Sequence, residues 1–282
     1  MISKLGLRLR TIYIGGGTPT ILTADQLEYL LGAIEGMTDV RALEEYTMES
    51  GRPDTIDADK LAVARAFGVG RISVNPQTLC DDVLRHIGRA HDTEMFYRAY
   101  EIARASDIPV INTDLIAGLP GDSFKTFSAS FDGIMALRPE NVTVHSLALK
   151  RSSFITQSGE VNKAHEDALL ADRMMAYAEK RLTECGYEPY YLYRQTRMVG
   201  NLENVGWSKP GCESYYNVYV MDETHTILAC GCGGVTKLKN QQTDYLKRIF
   251  NFKFPYEYID RFDEILKRKA EIQGFYGKST IE

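Results

Sequence analysis

Five short apolar runs, rich in β-branched residues, alternate in the first half of the chain with stretches of helical periodicity. Each connection between two runs is long enough to hold a helix, as the crossover between parallel strands requires. Such strand–helix–strand units have right-handed crossovers and place their strands in one sheet. The sequence therefore predicts an α/β fold with a parallel sheet, either open or curled into part of a barrel. The expected strands are 10–14, 45–49, 71–75, 110–116 and 141–147.

Candidate functional residues follow from this sheet, because the carboxyl ends of parallel strands carry the working side chains in α/β proteins. The acids Glu49 and Asp114 belong to the second and fourth runs. Carboxylates at strand ends can accept hydrogen bonds from an amine or from ribose hydroxyls. Solvated surface acids are the alternative interpretation. The positions selected in this way are 15–18, 49, 75–77, 114 and 145–148.

A glycine loop, Gly15-Gly16-Gly17-Thr18-Pro19, follows the first strand and precedes a helix for which Thr23 is the expected N-cap. Glycines without a Cβ let a ligand approach the backbone closely. The loop is neither a dinucleotide fingerprint nor a P-loop, because it lacks the spacing of the first and the lysine of the second. Ligand binding and a simple tight turn both remain open.

Composition places the chain among ordinary globular proteins, with 44% hydrophobic and 25% charged residues. A formal net charge of −5 argues against non-specific binding to nucleic acids or membrane surfaces. No apolar run reaches the ~18–20 residues of a membrane helix, and the first residues lack a signal-peptide pattern. We therefore expect a cytoplasmic protein with reduced thiols, no membrane span and no nucleic-acid partner.

The pattern changes after residue 150. We predict a long helix over 164–185, a tyrosine-rich strand over 189–195, a hairpin of 218–221 with 226–229, and a helical tail over 245–272 that is interrupted at Pro255. The tyrosines between 190 and 219 either line a pocket for a flat aromatic ligand or pack on one face of a sheet. The chain is thus predicted to have two domains, a parallel α/β domain over 1–150 and a smaller α+β region over 151–282.

Five motifs in order carry a family resemblance: YIGGGTPT, a strand ending in Glu49, SVNPQT, IGRAH and TDLIAGLPGD. Their order and spacing resemble the oxygen-independent coproporphyrinogen III oxidase family of radical S-adenosylmethionine (SAM) enzymes. The later strings YLYRQ and GNLENVG are similar to the dehydrogenase-like branch found in firmicute-type bacteria, rather than to the haem-chaperone branch. The resemblance covers nearly the whole chain.

The resemblance implies a three-quarter (β/α)6 barrel, with a smaller C-terminal region, and assigns roles to matching positions. The residues that would hold the amino-acid end of SAM are Gly16, Gly17, Thr18 and Glu49. The residues that would bind a second SAM or the substrate, or line that cavity, are Gln77, Arg89, Asp114, Ala148 and Val235. Most of these positions were already selected as strand ends.

This chain departs from the family at the [4Fe-4S] cluster, which the family binds through C-x-x-x-C-x-x-C after the first barrel strand. None of the five cysteines has that spacing, and only Cys230 and Cys232 are close together. We expect all five to be structural or incidental thiols, and no metal ligands. Since only ten residues precede Thr11, we expect a partial barrel missing its first strand, and a fragment that arose from a truncated gene, a mis-called start or a split protein.

The function implied by the resemblance is oxidative decarboxylation of propionates to vinyls on a tetrapyrrole in haem and porphyrin biosynthesis. SAM and a [4Fe-4S] cluster are the implied cofactors, and the chain is expected to be inactive alone because the cluster ligands are absent. The alternative is a SAM- or haem-binding module without catalysis. The exposed edge of the strand over 11–14 predicts self-association.

Overall fold

The computed structural model describes residues 2, 5–147, 161–193, 204–240 and 242–277. The chain forms two compact units, one of residues 13–214 and one that combines residues 1–12 with 215–282. The domain boundary at residue 150 stays a prediction. None of the helices in the described ranges combines the length and the apolar character that a membrane crossing requires.

The larger unit is built on a seven-stranded sheet with the order β1-β2-β3-β4-β5-β7-β6. Strands β2 to β5 pair in parallel with their neighbours, β7 pairs antiparallel with β5, and β6 pairs antiparallel with β7. The parallel strands fall where the sequence predicts them. The strands are β1 Thr11–Ile14, β2 Glu45–Met48, β3 Arg71–Ser73, β4 Val110–Ala117, β5 Asn141–Ser146, β6 Glu188–Tyr193 and β7 Asn204–Ser208.

Helices connect the parallel strands, and short polar side chains start several of them. Thr23 accepts from the backbone of Gln26 in a capping box, which confirms the predicted N-cap. Asp57, Asp92 and Ser123 accept from the third residue of their helices in the same way. The helices described up to residue 184 are α1 Ala24–Glu35, α2 Ala58–Ala66, α3 Asp81–His86, α4 Thr93–Ala105, α5 Phe124–Leu137 and α6 Val161–Glu184.

The two faces of the sheet differ, as the alternation along β4 shows. Ile111, Leu115 and Ala117 are fully buried on one face, and helices α5 and α6 contact this strand. Asn112 and Asp114 are half-buried on the other face, which also carries Thr143 and His145 through the pairing of β4 with β5. We call this second side the polar face. The core has formed on the opposite side, and the side chains of Asp114 and His145 stay partly exposed on the polar face.

A buried polar cluster lies at the amino ends of strands β2, β3 and β5. Arg71, at the start of β3, donates to the backbone oxygens of Cys212 and Glu213, each over 2.9 Å. It also hydrogen bonds Asn141 at the start of β5. Its Nε lies 3.8 Å from Glu45 Oε2 at the start of β2. These contacts hold the segment after β7 at the amino ends of the strands. The carboxyl ends, at the opposite edge of the sheet, are left for the functional site.

The smaller unit contains helix α7 Tyr215–Met221, the strands β8 Val235–Lys239 and β9 Leu246–Phe250, and the helices α8 Pro255–Asp260 and α9 Phe262–Gly277. Strands β8 and β9 form an antiparallel pair. Leu238, Ile249 and Ile272 make its buried core. The predicted hairpin of 218–221 with 226–229 is wrong, and so is a helix from residue 245. The alternating pattern of β8 and β9 forms the hairpin instead.

Candidate functional site

The glycine loop and Glu49 lie together, as the strand-end reasoning predicts. Glu49 donates its backbone N–H to Ile14 over 2.8 Å, which continues the pairing of β2 with β1. Its side chain accepts the Gly16 N–H at Oε2 over 3.2 Å and the Tyr13 hydroxyl at Oε1. A carboxylate offers about four lone-pair positions. Glu49 therefore keeps acceptor capacity for a ligand ammonium beside the loop.

The loop needs glycine for two different reasons. A Cβ on Gly15 would lie 2.5 Å from Tyr13 Cε1 and 2.8 Å from Glu49 Oε2, so a side chain there would displace the Tyr13–Glu49 contact. Gly16 has φ +90°, which L side chains rarely adopt. A Cβ on Gly16 or Gly17 would meet no atom within 4 Å. The loop thus presents bare backbone to open space, an arrangement that fits the amino-acid end of SAM.

Thr18 and Gln77 have mainly backbone roles in the described structure. Thr18 precedes the short 3-10 helix Pro19–Ile21 and accepts from the Ile21 N–H over 2.9 Å. Gln77 is 8% exposed with φ +68°. Its N–H donates to the Asp114 carbonyl over 3.1 Å, and its carbonyl accepts from Ile116 over 2.9 Å. Gln77 is therefore fixed against β4, next to Asp114.

Asp114 is the most heavily hydrogen-bonded of the predicted site residues. Its Oδ2 accepts from Asn75 Nδ2 and its Oδ1 from Asn112 Nδ2, both over 2.8 Å. His145 Nε2 lies 3.7 Å from Oδ2, and His145 Nδ1 is 2.9 Å from the Tyr193 hydroxyl. These contacts hold one carboxylate on the polar face through side chains of β4, β5, β6 and the segment after β3.

The environment of Asp114 favours its ionised form. Burial by itself raises the pKa of the Asp114 carboxyl, but hydrogen bonding and charge from His145, followed by Asn112, outweigh it and hold the pKa below its usual range. Asp114 is thus an anion at neutral pH and accepts hydrogen bonds there. Hydroxyl and ammonium groups are the ligand groups that it can bind.

The remaining predicted residues are not brought into this network by any described contact. Arg89 follows α3 with an exposed side chain, close enough to Arg52 and Asp54 for their charges to act on it. Val235 begins β8 in the smaller compact unit. Ala148 lies outside the described residues. The roles assigned to these three positions stay predictions.

A [4Fe-4S] cluster does not fit the described residues. In the ranges with assigned structure, no group of three or more His, Cys, Asp or Glu side chains is placed to hold a metal ion. The five cysteines are free thiols, and only the last two are close together in the sequence: Cys80, Cys185, Cys212, Cys230 and Cys232. A SAM-binding cluster is usually anchored by three thiolates, which the described residues do not bring together.

Sequence reasoning found the acids of this site but not all of their partners. The Asn112-x-Asp114 spacing puts both side chains on one face of a strand, and that period could have identified Asn112. The contact of His145 with Tyr193 has no comparable signal. It depends on β7 inserting between β5 and β6.

Comparison with known proteins shows what this chain is similar to. A model of the radical SAM superfamily matches residues 2–132. The oxygen-independent coproporphyrinogen-III oxidase-like protein HemZ of Bacillus subtilis (strain 168) is 40% identical over 276 residues, which are 97% of this chain and 55% of that protein. The heme chaperone HemW of Lactococcus lactis subsp. lactis (strain IL1403) is 33% identical over 231 residues, 80% of this chain and 57% of that protein. The chain thus spans little more than half the length of these relatives.

The solved structure of coproporphyrinogen III oxidase HemN from Escherichia coli, described as a radical SAM enzyme, matches with a TM-score of 0.67. It is 20% identical, and the match covers 92% of this chain and 58% of that one. This likeness confirms the predicted fold class, a partial radical SAM barrel, for the seven-stranded sheet. The superfamily match over residues 2–132 and the 40% identity with HemZ show that the chain is similar to the oxygen-independent coproporphyrinogen III oxidase-like proteins of the radical SAM superfamily.

Proposed function

We propose that the polar face binds S-adenosylmethionine, with Gly16, Gly17, Thr18 and Glu49 around its amino-acid end. The contact between Gly16 and Glu49 carries this proposal, because it joins a bare backbone loop to a carboxylate with spare lone pairs. The ammonium of SAM would bind Glu49, and its carboxylate would bind backbone N–H groups of the loop. The positions proposed for a second SAM or the substrate are Gln77, Arg89, Asp114, Ala148 and Val235.

The reaction that we propose for the whole protein is that of a coproporphyrinogen III dehydrogenase: propionate side chains of a tetrapyrrole would lose CO2 and a hydrogen atom to become vinyl groups, while SAM, as the oxidant, would be cleaved to methionine and 5′-deoxyadenosine. Relatives named as coproporphyrinogen III oxidases support this proposal. The chemistry would be supplied by the cofactors, and these residues would bind and orient SAM and exclude water. Because the described residues do not fit the cluster, we expect this chain to be inactive alone.

The test is SAM binding measured by calorimetry for the parent, Gly17→Val and Glu49→Gln. Valine would fill the open space at the loop, and glutamine would remove the charge that pairs with the ammonium. Loss of a hydrogen bond to a charged group should weaken binding by about 10- to 100-fold. Glu28→Gln, an exposed change on α1, is the matched control. Unchanged affinity in both site variants would mean that these residues form an ordinary turn and strand end.

A second candidate is a SAM- or haem-binding module without catalysis. It is supported by the missing C-x-x-x-C-x-x-C motif and by the relatives named heme chaperones. Titration with haem, followed by the shift of its Soret band, distinguishes the two candidates. A stoichiometric shift of the Soret band that SAM does not alter would favour the binding module. The absence of a shift would favour the first candidate, the coproporphyrinogen III dehydrogenase.

A further inference from the structure

A line of three side chains crosses the polar face from β4 to β6. Asp114 Oδ2 lies 3.7 Å from His145 Nε2, and His145 Nδ1 lies 2.9 Å from the Tyr193 hydroxyl. The His145 side chain is 26% exposed and that of Asp114 is 21% exposed. The imidazole therefore stands between a carboxylate and a phenol, with one ring nitrogen facing each.

The contacts with Asp114 and Tyr193 together decide where the proton of the neutral imidazole resides. A phenol hydroxyl can donate or accept, but an ionised carboxylate only accepts, so the ring hydrogen lies on Nε2, and Tyr193 stabilises this tautomer by donating to Nδ1. Nε2–H then faces the Asp114 carboxylate, as an anion requires. The distance of 3.7 Å is long for a hydrogen bond, but such contacts in ligand-free sites often tighten when a ligand binds.

The position of Tyr193 is itself determined by packing. Its ring is stacked on that of Tyr191, with centroids 6.1 Å apart and planes 1° from parallel. The Tyr191 ring lies across Gly206 of β7, where a Cβ would come within 1.8 Å of Tyr191 Cε1. Only glycine at 206 lets Tyr191 lie there. The packing of β6 on β7 therefore holds the Tyr193 hydroxyl at the imidazole.

On the ligand side, Asp114 has few acceptor positions left. Asn75 and His145 face Oδ2, and Asn112 donates to Oδ1. Thr143, on the same face, also acts on this carboxylate. A carboxylate held by these groups cannot rotate freely, so the direction in which it accepts a further hydrogen bond is defined.

We propose that His145 is a positioning residue for Asp114: Tyr193 fixes the Nε2–H tautomer of His145, and this donor orients the carboxylate to accept a hydrogen bond from a hydroxyl or ammonium group of the bound ligand. The proposal rests on the proposed function in one respect, that Asp114 belongs to the SAM or substrate site. It adds that His145 on β5 and Tyr193 on β6 determine how Asp114 contacts the ligand, although they do not contact the ligand themselves.

The tautomer is tested by 15N NMR of the imidazole of His145, recorded at a pH where the ring is neutral. We expect the Nε2–H form in the parent. Tyr193→Phe keeps the ring stack but loses the donor to Nδ1, so the share of the Nδ1–H tautomer should rise although Asp114 still favours Nε2–H. Tyr190→Phe is the control, because its hydroxyl is not part of this line, and should leave the spectrum unchanged. An Nδ1–H tautomer in the parent, or no change in Tyr193→Phe, would overturn the proposal.

The effect on a ligand is tested by calorimetry with S-adenosylhomocysteine, a stable probe with ribose hydroxyls and an ammonium. His145→Phe should weaken binding by about three- to tenfold. His145→Gln, whose amide can donate in place of Nε2–H, should restore it to within about twofold. Equal binding by all three proteins would contradict the positioning role. If the parent itself does not bind, the proposed function and the ligand contact both fail, while the tautomer measurement still decides whether Tyr193 fixes His145.

Discussion

Arg71 Nε lies 3.8 Å from Glu45 Oε2, and the two side chains are only 8% and 5% exposed. This ion pair joins the starts of β3 and β2 at the closed end of the sheet. Glu45 Oε1 also accepts from Thr47 and Ser214, over 2.8 and 3.0 Å. The Glu45 carboxylate is thus held by contacts within the protein, whereas Gly16 and Gly17 at the carboxyl end of the sheet face open space.

Replacing Arg71 should strongly destabilise the protein. Arg71→Met leaves Glu45 as a buried carboxylate without its counter-ion, which costs about 3–5 kcal/mol. The exposed pair Arg85–Asp82, with side chains 72% and 87% exposed, gives a matched control. Arg85→Met should change the free energy of unfolding by less than about 0.5 kcal/mol. Urea denaturation of both variants measures the difference, and equal stabilities would show that the buried pair contributes nothing.

Glu140 should make stability depend on pH. Burial raises the pKa of this carboxyl, but hydrogen bonds from Arg104 and Ile111, and then from Lys209, bring it below its usual range. Since the folded pKa is below the unfolded value of about 4.3, the stabilisation is full above that value and is lost as pH falls through the folded pKa. Glu140→Gln should cost ~2 kcal/mol at pH 7 and much less near pH 3. Urea denaturation measures the difference in the free energy of unfolding between the parent and the variant. The same difference at both pH values would contradict this prediction.

Gly15 should tolerate a methyl group far less well than a glycine in open space. Gly15→Ala places a Cβ 2.5 Å from Tyr13 and 2.8 Å from the Glu49 carboxylate, and such overpacking costs about 1–3 kcal/mol. Gly70 has no atom within 4 Å of its Cβ position and no positive φ. Gly70→Ala should therefore be neutral or stabilising by up to ~1 kcal/mol. Thermal unfolding of both variants measures this difference in stability. Equal effects of the two changes would show that the loop shifts to accommodate the methyl group.

The sequence predicts the part of the fold that local pattern controls. Glu49 follows β2 directly, as parallel-sheet reasoning expects, and Thr23 is the expected N-cap, whereas Asp114 lies inside β4, three residues before its end. It does not predict α7, because its sequence YYNVYVM favours a strand and tertiary packing overrides this preference. Nor does it predict that Tyr193 reaches His145. That contact needs the antiparallel order of β5, β7 and β6, together with the register shift between Pro189 and Tyr191.

Strand β1 should mediate self-association. It ends the strand order of the seven-stranded sheet in the described part of the chain, and its four residues are half-buried. An edge strand with unpaired backbone groups favours pairing with another chain. We expect oligomers in size-exclusion chromatography that decrease in Ile12→Lys but not in the control Ile21→Lys, whose side chain is 60% exposed outside any strand. A parent that is monomeric at every concentration would contradict this expectation.

Reconstitution with iron and sulfide should produce no stoichiometric [4Fe-4S] cluster on this chain. Cys230 and Cys232 are the only cysteines that lie close together in the sequence, both are exposed, and two thiolates leave a cluster short of its three usual anchors. Iron content and the absorption spectrum after anaerobic desalting measure the outcome. The double variant with Cys230→Ser and Cys232→Ser should give the same low iron content as the parent. A full cluster in the parent that this variant loses would show that the C-x-C pair binds iron, and the expectation of an inactive chain would then be wrong.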